Sequence, residues 1–267
     1  TNVATDHNQL VMETIRKVAT RHGLVALLHE KPFAGVNGSG KHNNWSMGTD
    51  DGQNLLEPGN NPQENAQFLL FLAAMIKAVD KYAPLLRMSA ANAGNDHRLG
   101  ANEAPPAIIS MFLGNLEEIL EGLATGKPVA SADGGKLEIG VNSLPKLPRD
   151  LTDRNRTSPF AFTGNKFEFR MVPSSESVAG PNVVLNTIAA EIFSEFAEAL
   201  EKSTDKKATV TKLIIDTYNS HKRVVFNGNG YTQDWVEEAA KRGLPNINNT
   251  VDAIMETTKD YSMDVFT

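Results

Sequence analysis

The feature that most constrains the fold is an apolar run of nine residues, Phe68 to Ile76, inside a segment with helical periodicity. We predict a helix from about Gln63 to Tyr82, with Pro62 in its first turn and Asn61 as its cap. A helix that is apolar on nearly every face has to be buried on nearly every face. Nine apolar residues are too few to cross a bilayer, so the run predicts the centre of a folded core.

Short strand signals stand on both sides of this helix in the sequence. Apolar residues alternate with polar ones from Phe160 to Met171, which predicts a half-buried strand pair with its turn at Gly164 and Asn165. The run LVALLH, residues 24–29, predicts a buried strand, and KLEIGV, residues 136–141, predicts another. Because the strands and helices do not follow regular βαβ units, we predict an α+β fold.

Helical periodicity marks most of the remaining chain. A first helix is predicted from a cap at Asp6 to a stop at Gly23, and its apolar face consists of Leu10, Val11, Ile15 and Val18. A second is predicted to open at Pro105 and to stop near Gly126. From Pro181 onward nearly all of the chain is predicted to be helical, at 181–203, 206–220, 231–242 and 247–260.

These patterns divide the chain into residues 1–180 and a helical block, residues 181–267, that continues from them. Two long stretches of the first part, 31–62 and 88–106, are polar and show little periodicity. Irregular stretches of this length inside a compact domain are usually functional. We therefore expect binding or catalytic residues in them.

Composition excludes several classes of protein. Thirty-two acidic against 26 basic residues give a net charge of −6, which argues against a nucleic-acid partner. The chain has no cysteine, which excludes disulfides, a thiolate zinc site and a cysteine nucleophile, and fits a reducing cytoplasm. The N-terminus has no apolar targeting segment, and no membrane partner is expected.

A glycine-rich segment, Gly35 to Lys41, reads GVNGSGK and matches the first seven positions of a phosphate-binding P-loop. The eighth position is His42 instead of a magnesium-binding Ser or Thr. The residues that follow form helices poorly, whereas a P-loop needs a helix there to hold the phosphates. A P-loop is therefore disfavoured, and the sequence leaves open whether the segment cradles another ligand or is only a tight turn.

Four motifs then occur in a fixed order: NGSGKHNNWS at 37–46, RLGANEAP at 98–105, DRNRTSPF at 153–160 and KFEFRMVPSSE at 166–176. Together with Lys31-Pro32 before the first motif, they resemble the glutamine synthetase superfamily, over about residues 6–186. The segment HEKPFAGVNGSGKHNNWS, residues 29–46, and the helical block are similar to the large type III bacterial branch of this superfamily. Asn44 stands where type I enzymes have a second His, and Ala161 where they have a further Arg.

The resemblance implies a curved, mainly antiparallel sheet with long helices, as in the glutamine synthetase catalytic domain. It implies ATP-dependent ligation of ammonia to L-glutamate through γ-glutamyl phosphate. ATP would be the co-substrate, Mg²⁺ or Mn²⁺ the cofactor, and a homo-oligomeric ring the assembly of the full-length protein. In this reading residues 1–180 are the catalytic domain, incomplete on its N-terminal side.

Alternation along the strand places Glu168 on the face opposite Phe167 and Phe169, with Lys166 and Arg170 on its own face. From the strand alone, this set could equally be an ion ladder on a wet face. The resemblance makes Glu168 a metal ligand. It makes His42 the ligand of a second cation, and we expect the two side chains near one cleft.

The resemblance assigns roles to nine further positions. Catalytic roles fall on Glu103, Arg156 and Arg170, and substrate-binding roles on Asn37, Gly38, Arg98 and again Arg170. The nucleotide is expected at Asn44, Ser46, Arg156 and Lys166. Read without the resemblance, Arg154 and Arg156 could be solvated arginines, and Glu103 an acid that stabilises the N-terminus of the next helix. Glu103 lies beside the small residues 100–102, which suit a mobile flap.

Two other functions share these motifs. One is a ligase that joins glutamate to an amine other than ammonia, and the other is a non-catalytic paralogue or assembly module. We also expect the chain to be an inactive piece of the enzyme, because only Glu168 and His42 stand out as metal ligands and a multi-cation site needs several carboxylates.

Overall fold

The computed structural model describes residues 2–127 and 157–267. The described strands are β1 (Gly40–Trp45), β2 (Met111–Phe112), β3 (Phe160–Phe162) and β4 (Phe167–Pro173). The described α-helices are α1 (Asn2–Arg21), α2 (Ala66–Lys81), α3 (Ala83–Met88), α4 (Ala93–Arg98), α5 (Asn115–Thr125), α6 (Ala179–Glu201), α7 (Lys206–His221), α8 (Gln233–Lys241), α9 (Thr250–Met255) and α10 (Asp260–Phe266). Short 3-10 turns occupy Pro62–Glu64, Lys222–Val224 and Glu256–Thr258.

The described strands form one sheet in the order β1-β4-β3-β2. The pairs β1–β4 and β3–β4 are antiparallel and β2–β3 is parallel, so the predicted mainly antiparallel sheet and the α+β class are confirmed. The β3–β4 pair is the one predicted from period-two alternation, and its turn contains Gly164 at φ 95°. Phe167 and Phe169 are fully buried on one face, while Glu168 and Arg170 line the other.

The apolar run at 68–76 forms the middle of α2, as predicted, and its side chains fill the core. Helices α6 and α7 pack along α2, and Phe68 meets Phe162 of β3 at 5.8 Å between ring centroids. The prediction of Asn61 as the cap was wrong. Pro62 opens a separate 3-10 turn, and the side chain of Asn65 accepts the capping hydrogen bond from the Phe68 amide at 3.0 Å.

The helical block is tied to α2 by a buried carboxylate. Asp80, near the end of α2, accepts hydrogen bonds from His221 Nδ1 at 2.8 Å and from Arg223 Nε at 2.7 Å. Apolar side chains of α6 and α7 belong to the same core cluster as those of α2. The block therefore shares one core with the sheet side, whereas the boundary at 180/181 stays a prediction.

A second buried pair fixes α4. Arg87, 1% exposed, contacts Asp96 of α4 at 2.7 Å and donates from Nε to the carbonyl of Ile247. The other oxygen of Asp96 accepts from the Thr250 amide at 2.6 Å. Residues 93–98, predicted as part of an irregular stretch, are thus a helix whose position depends on the C-terminal end of the chain.

Two further predictions about elements were wrong. Residues 24–28 form no strand with the described residues, and Leu24, Val25 and Leu27 are 54–83% exposed. An apolar run becomes a strand only if a neighbouring edge pairs with it. The helix expected at Pro105 begins ten residues later, at Asn115, because the chain first forms β2; it does end at Gly126, which is left-handed.

The single helix predicted at 247–260 was wrong, because this part of the chain is divided into α9, a 3-10 turn and α10. The other helix boundaries moved by small amounts. Helix α1 begins at Asn2, before the predicted cap at Asp6, and ends before Gly23 as expected. The segment after Lys41 is strand β1, which removes the helix that a P-loop would need. The predicted strand at 136–141 lies outside the described residues. No helix of the described ranges is long and apolar enough to cross a membrane.

Candidate active site

The β1–β4 pair brings together two side chains that are 126 residues apart in sequence. Asn44 of β1 stands opposite Glu168 of β4, and a bulge between Lys41 and Asn43 shifts the register beside His42. As a result His42 Nδ1 lies 3.7 Å from Glu168 Oε2. The expectation that these two side chains lie close together is confirmed, whereas their roles at the site stay a prediction.

Two ligands of one cation, each at about 2.0–2.6 Å from it, stand roughly 3–4 Å apart, so the separation of His42 and Glu168 fits one shared cation. The resemblance instead gave His42 to a second cation, and metal binding by either residue stays a prediction. Arg170 Nε also contacts Glu168 Oε2, at 3.2 Å. In residues 2–127 and 157–267 no group of three or more His, Cys, Asp or Glu side chains is placed to hold a metal ion. The pair therefore offers part of a coordination sphere, which other ligands would have to complete.

The expected flap contacts the glycine-rich turn through Asn37. Its side-chain amide donates to Glu103 Oε2, and its side-chain oxygen accepts from Asn102. Glu103 has φ 52°, the one positive φ of a non-glycine residue in the described ranges. A left-handed Glu is uncommon and costs conformational energy, so the surrounding contacts hold this backbone in place.

Arg98 has a different set of contacts from the one its expected role suggests. It is 5% exposed, and its guanidinium donates to the main-chain carbonyls of Arg170 at 3.0 Å and Met171 at 3.4 Å and to the side chain of Asn95 at 2.9 Å. Burial lowers its pKa. Any side chain at Gly40 would overlap this guanidinium. Arg98 thus holds β4 in place through the main-chain carbonyls of that strand. A contact of Arg98 with substrate stays a prediction.

The residues expected to bind nucleotide lie toward the β3–β4 turn. Ser46 Oγ lies 2.7 Å from Asn54 Oδ1 and 3.2 Å from the carbonyl oxygen of Asn165, and its single hydrogen can be donated to either. Lys166 precedes β4, next to that turn, and Asn44 lies on β1 opposite Glu168. Arg154 and Arg156 lie outside the described residues.

Glu30 is a buried carboxylate that sequence reasoning did not assign to the site. Its Oε1 accepts from the amide of Ser175 at 3.2 Å and from the Ser175 hydroxyl, and its carbonyl accepts from the Ser39 amide at 2.7 Å. Burial by itself would raise the pKa of Glu30, but these hydrogen bonds outweigh it and the pKa is lowered. Glu30 therefore fastens the glycine-rich turn to the end of β4, and Gly38 is needed because a side chain there would overlap the Glu30 carbonyl.

Comparison with known proteins identifies the family of the chain. A model described as "Glutamine synthetase, catalytic domain" matches residues 2–110, and one described as "Glutamine synthetase C-terminal domain" matches residues 209–267. The chain belongs to the glutamine synthetase family.

Three relatives refine this assignment. The chain is 52% identical over 99% of its length to a type-3 glutamine synthetase of Dictyostelium discoideum, and 52% identical over 100% of its length to a glutamine synthetase of Butyrivibrio fibrisolvens. It is 44% identical over 99% of its length to a glutamine synthetase of Bacteroides fragilis. The chain spans 37% or 38% of the length of these relatives.

Proposed function

We propose that this chain is part of an enzyme that ligates ammonia to L-glutamate at the expense of ATP and releases L-glutamine. In the first step the glutamate side-chain carboxylate attacks the γ-phosphorus of ATP, giving γ-glutamyl phosphate and ADP. In the second step ammonia attacks the acyl carbon and phosphate leaves. The observation that carries the proposal is the His42–Glu168–Arg170 cluster on the β1–β4 pair, in a chain half identical to glutamine synthetases.

His42 and Glu168 are the residues proposed to hold a divalent cation, Mg²⁺ or Mn²⁺. The cation would supply Lewis-acid stabilisation of the transferring phosphoryl group. Hard cations of this kind prefer oxygen ligands, so a site with one carboxylate and one imidazole in the described ranges needs additional oxygen donors. Substrate and water oxygens can supply some of them.

Arg170 is proposed to clamp the reacting end of the substrate. Its side chain is 14% exposed and its position is fixed by Glu168, so the planar guanidinium is held before a ligand arrives. Such a fork matches a carboxylate or phosphoryl group bidentately. Arg98 and Gly38 would complete the amino-acid subsite, and Arg156 the phosphoryl clamp.

Glu103 is proposed to take the proton from ammonium and, with the flap, to keep water from the acyl phosphate. The side-chain amide of Asn37 donates a hydrogen bond to this carboxylate and so positions it. Asn37 would have this role in addition to its expected contact with the substrate. Asn44, Ser46 and Lys166 would lie along the nucleotide. The full-length protein is proposed to assemble into a homo-oligomeric ring in the cytoplasm.

The test is ADP release by the full-length protein that contains this chain, with Mg²⁺ or Mn²⁺ present. Release that requires both glutamate and ammonium, with glutamine as product, supports the proposal. Small primary amines are tested in place of ammonium, and a preference for one of them would replace ammonia as the substrate. No release with any amine would indicate a non-catalytic paralogue.

A matched pair of variants tests the cluster itself. Arg170→Lys removes the planar fork, and we expect kcat/KM to fall about 100-fold, whereas Lys166→Arg keeps a cation near the nucleotide and lowers it less than about tenfold. Equal losses in the two variants would mean that Arg170 has only a structural role.

A further inference from the structure

The helical block contacts the far end of the flap, which we define as residues 99–106. Directly after the flap, the carbonyl of Ala107 accepts a hydrogen bond from the amide of Ile247 at 3.2 Å. Beside this contact, Ile108 and Asn246 form an antiparallel β-bridge. The end of the flap that leads to β2 is therefore attached to a segment that is more than 130 residues away in sequence.

The same segment, residues 246–250, holds the beginning of the flap through Asp96 of α4. One oxygen of Asp96 accepts from the Thr250 amide at 2.6 Å, and the other accepts from Nη2 of Arg87 at 2.7 Å. Arg87 is 1% exposed and donates from Nε to the carbonyl of Ile247 at 2.8 Å. Helix α4 ends two residues after Asp96, where the flap begins. Both ends of the flap thus depend on one segment of the helical block.

The residue next to Asp96 connects α4 to the strand that carries the active-site cluster. Asn95 is fully buried, and its side chain donates to the carbonyl of Met171 at 3.0 Å and accepts from Arg98 at 2.9 Å. Arg98 donates in turn to the carbonyl of Arg170 at 3.0 Å. Because these bonds join α4 to the main chain of β4, the position of α4 sets the flap and the β4 strand relative to each other.

We propose that Asp96 is a positioning residue of the active site, through which residues 246–250 hold the flap in its closed position. Glu103, near the tip of the flap, has a left-handed backbone and contacts Asn37. A strained backbone of this kind persists only where the surrounding structure fixes it. The two attached ends of the flap supply that restraint. The catalytic consequence, that Glu103 stays over the acyl phosphate, rests on the proposed function.

Thr250 offers a change that removes one of these contacts and little else. It is the first residue of α9, and its amide donates to Asp96. Thr250→Pro deletes that donor at a helix position where proline is favoured, and the preceding Asn249 already has the extended backbone that proline requires. Thr250→Ala keeps the amide and is the matched control. Both variants lose the hydroxyl, which has no hydrogen-bond partner among the described residues.

Hydrogen exchange in the full-length protein tests the contact without any activity. Thr250→Pro should speed the exchange of amides 99–101 about tenfold or more, because their acceptors lie at the base of the flap. Thr250→Ala should leave it within about twofold of the parent, and amides near Ile76 in α2 should be unchanged in both variants. Asp96→Asn is a second variant and should act like Thr250→Pro, because its one side-chain oxygen cannot serve both donors.

Three results would overturn the positioning role, whatever reaction the enzyme catalyses. The first is unchanged exchange of the flap in both Thr250→Pro and Asp96→Asn. The second is equal acceleration in Thr250→Ala, which would mean that the amide of Thr250 is not the group that matters. The third is an equal acceleration of α2, which would mean that Asp96 stabilises the whole domain instead of the flap.

The consequence is tested in the full-length enzyme by the phosphate released per glutamine formed. If the flap loosens, water attacks the acyl carbon of γ-glutamyl phosphate, and glutamate and phosphate are released. In Thr250→Pro the ratio should then rise from about one to about two or more. Thr250→Ala should leave the ratio at about one, and so should Asp80→Asn, which removes a different buried charge on α2.

An unchanged ratio in Thr250→Pro, or an equal rise in Asp80→Asn, would refute the effect of Asp96 on the reaction. Absence of glutamate- and ammonium-dependent ADP release in the unaltered enzyme would refute the proposed function instead.

Discussion

Helix α1 carries one apolar stripe and helix α2 is apolar on nearly every face, and the two helices have opposite surroundings. In α2, Leu72 and Ile76 are fully buried among α6, α7 and the sheet. In α1 the predicted apolar face remains exposed, at 64% for Leu10 and 46% for Ile15. The comparison teaches that periodicity decides where an apolar stripe lies on a helix, while burial depends on a second surface that matches it.

The same contrast extends to the residues after α1. The extended segment 24–28 is apolar and exposed, whereas the alternating segment at 160–171 pairs with its neighbours and is buried. Burying an apolar side chain contributes about 1.5–3 kcal/mol relative to leaving it exposed. We call residues 2–28 the N-terminal arm, and we expect it to contribute little to the stability of the described core.

Amide hydrogen exchange should give the largest difference between the two regions. Amides in the middle of α2, near Ile76, should exchange only through global unfolding, with a free energy near the full stability of the domain, about 5–15 kcal/mol. Those of residues 25–28 should exchange within the shortest labelling time, because the segment forms no strand with described residues. Mass spectrometry of the labelled peptides measures both, and equal protection would contradict the comparison.

A matched pair of leucine truncations should differ by several kcal/mol. Leu72→Ala leaves a cavity in the core and should lower the free energy of unfolding by about 2–5 kcal/mol. Leu10→Ala removes the same atoms from an exposed site and should change it by less than about 0.5 kcal/mol. Urea unfolding followed by circular dichroism measures both, and a large loss in Leu10→Ala would show that α1 packs on another surface in solution.

The next effect concerns how α2 is joined to the helical block. Asp80→Asn removes the charge that His221 and Arg223 contact, and we expect a loss of about 1.5–3 kcal/mol, the usual range for hydrogen bonds to charged groups. The same change at Asp216, which is exposed on α7, is the control and should cost less than about 0.5 kcal/mol. Similar midpoints for the two variants would mean that the clamp contributes no net stability.

The smallest expected effect is Ile15→Gln on the exposed stripe of α1. It should leave the free energy of unfolding within about 0.5 kcal/mol of the parent, because the side chain is already in contact with water. Ile76→Gln, which places an amide in the core, is its matched comparison and should lower stability by several times as much. Thermal unfolding of both variants measures this difference in stability.

Several elements of the fold follow from local pattern. The apolar run at 68–76 and the alternation at 160–171 each record a periodicity that only one kind of element can bury. Boundaries were predicted less well. The cap at Asn65 is a local contact with Phe68, but the prediction placed the cap at Asn61 instead. The strand at Met111 depends on pairing with distant Phe160. The strand expected at 24–29 failed for the same reason, since a strand needs a partner edge.

The contacts of the candidate site were likewise predicted only in part from the sequence. The motifs were sufficient to predict that His42 and Glu168 lie together, because the resemblance supplied a relation across 126 residues that no local pattern contains. They did not indicate that Arg98 donates to carbonyls of β4, or that Glu30 fastens the glycine-rich turn.

By itself the sequence determined the kinds of element, the central place of α2 and the family, since these depend on periodicity and on short motifs. Only the tertiary structure decided which apolar faces are covered, which way Arg98 directs its donors, and that Glu30 holds the glycine-rich turn to the end of β4. The physical reason is range. Periodicity depends on residues that are neighbours along the chain, whereas burial and contacts such as that of Arg98 with Arg170 depend on residues that folding brings together from distant parts of the sequence.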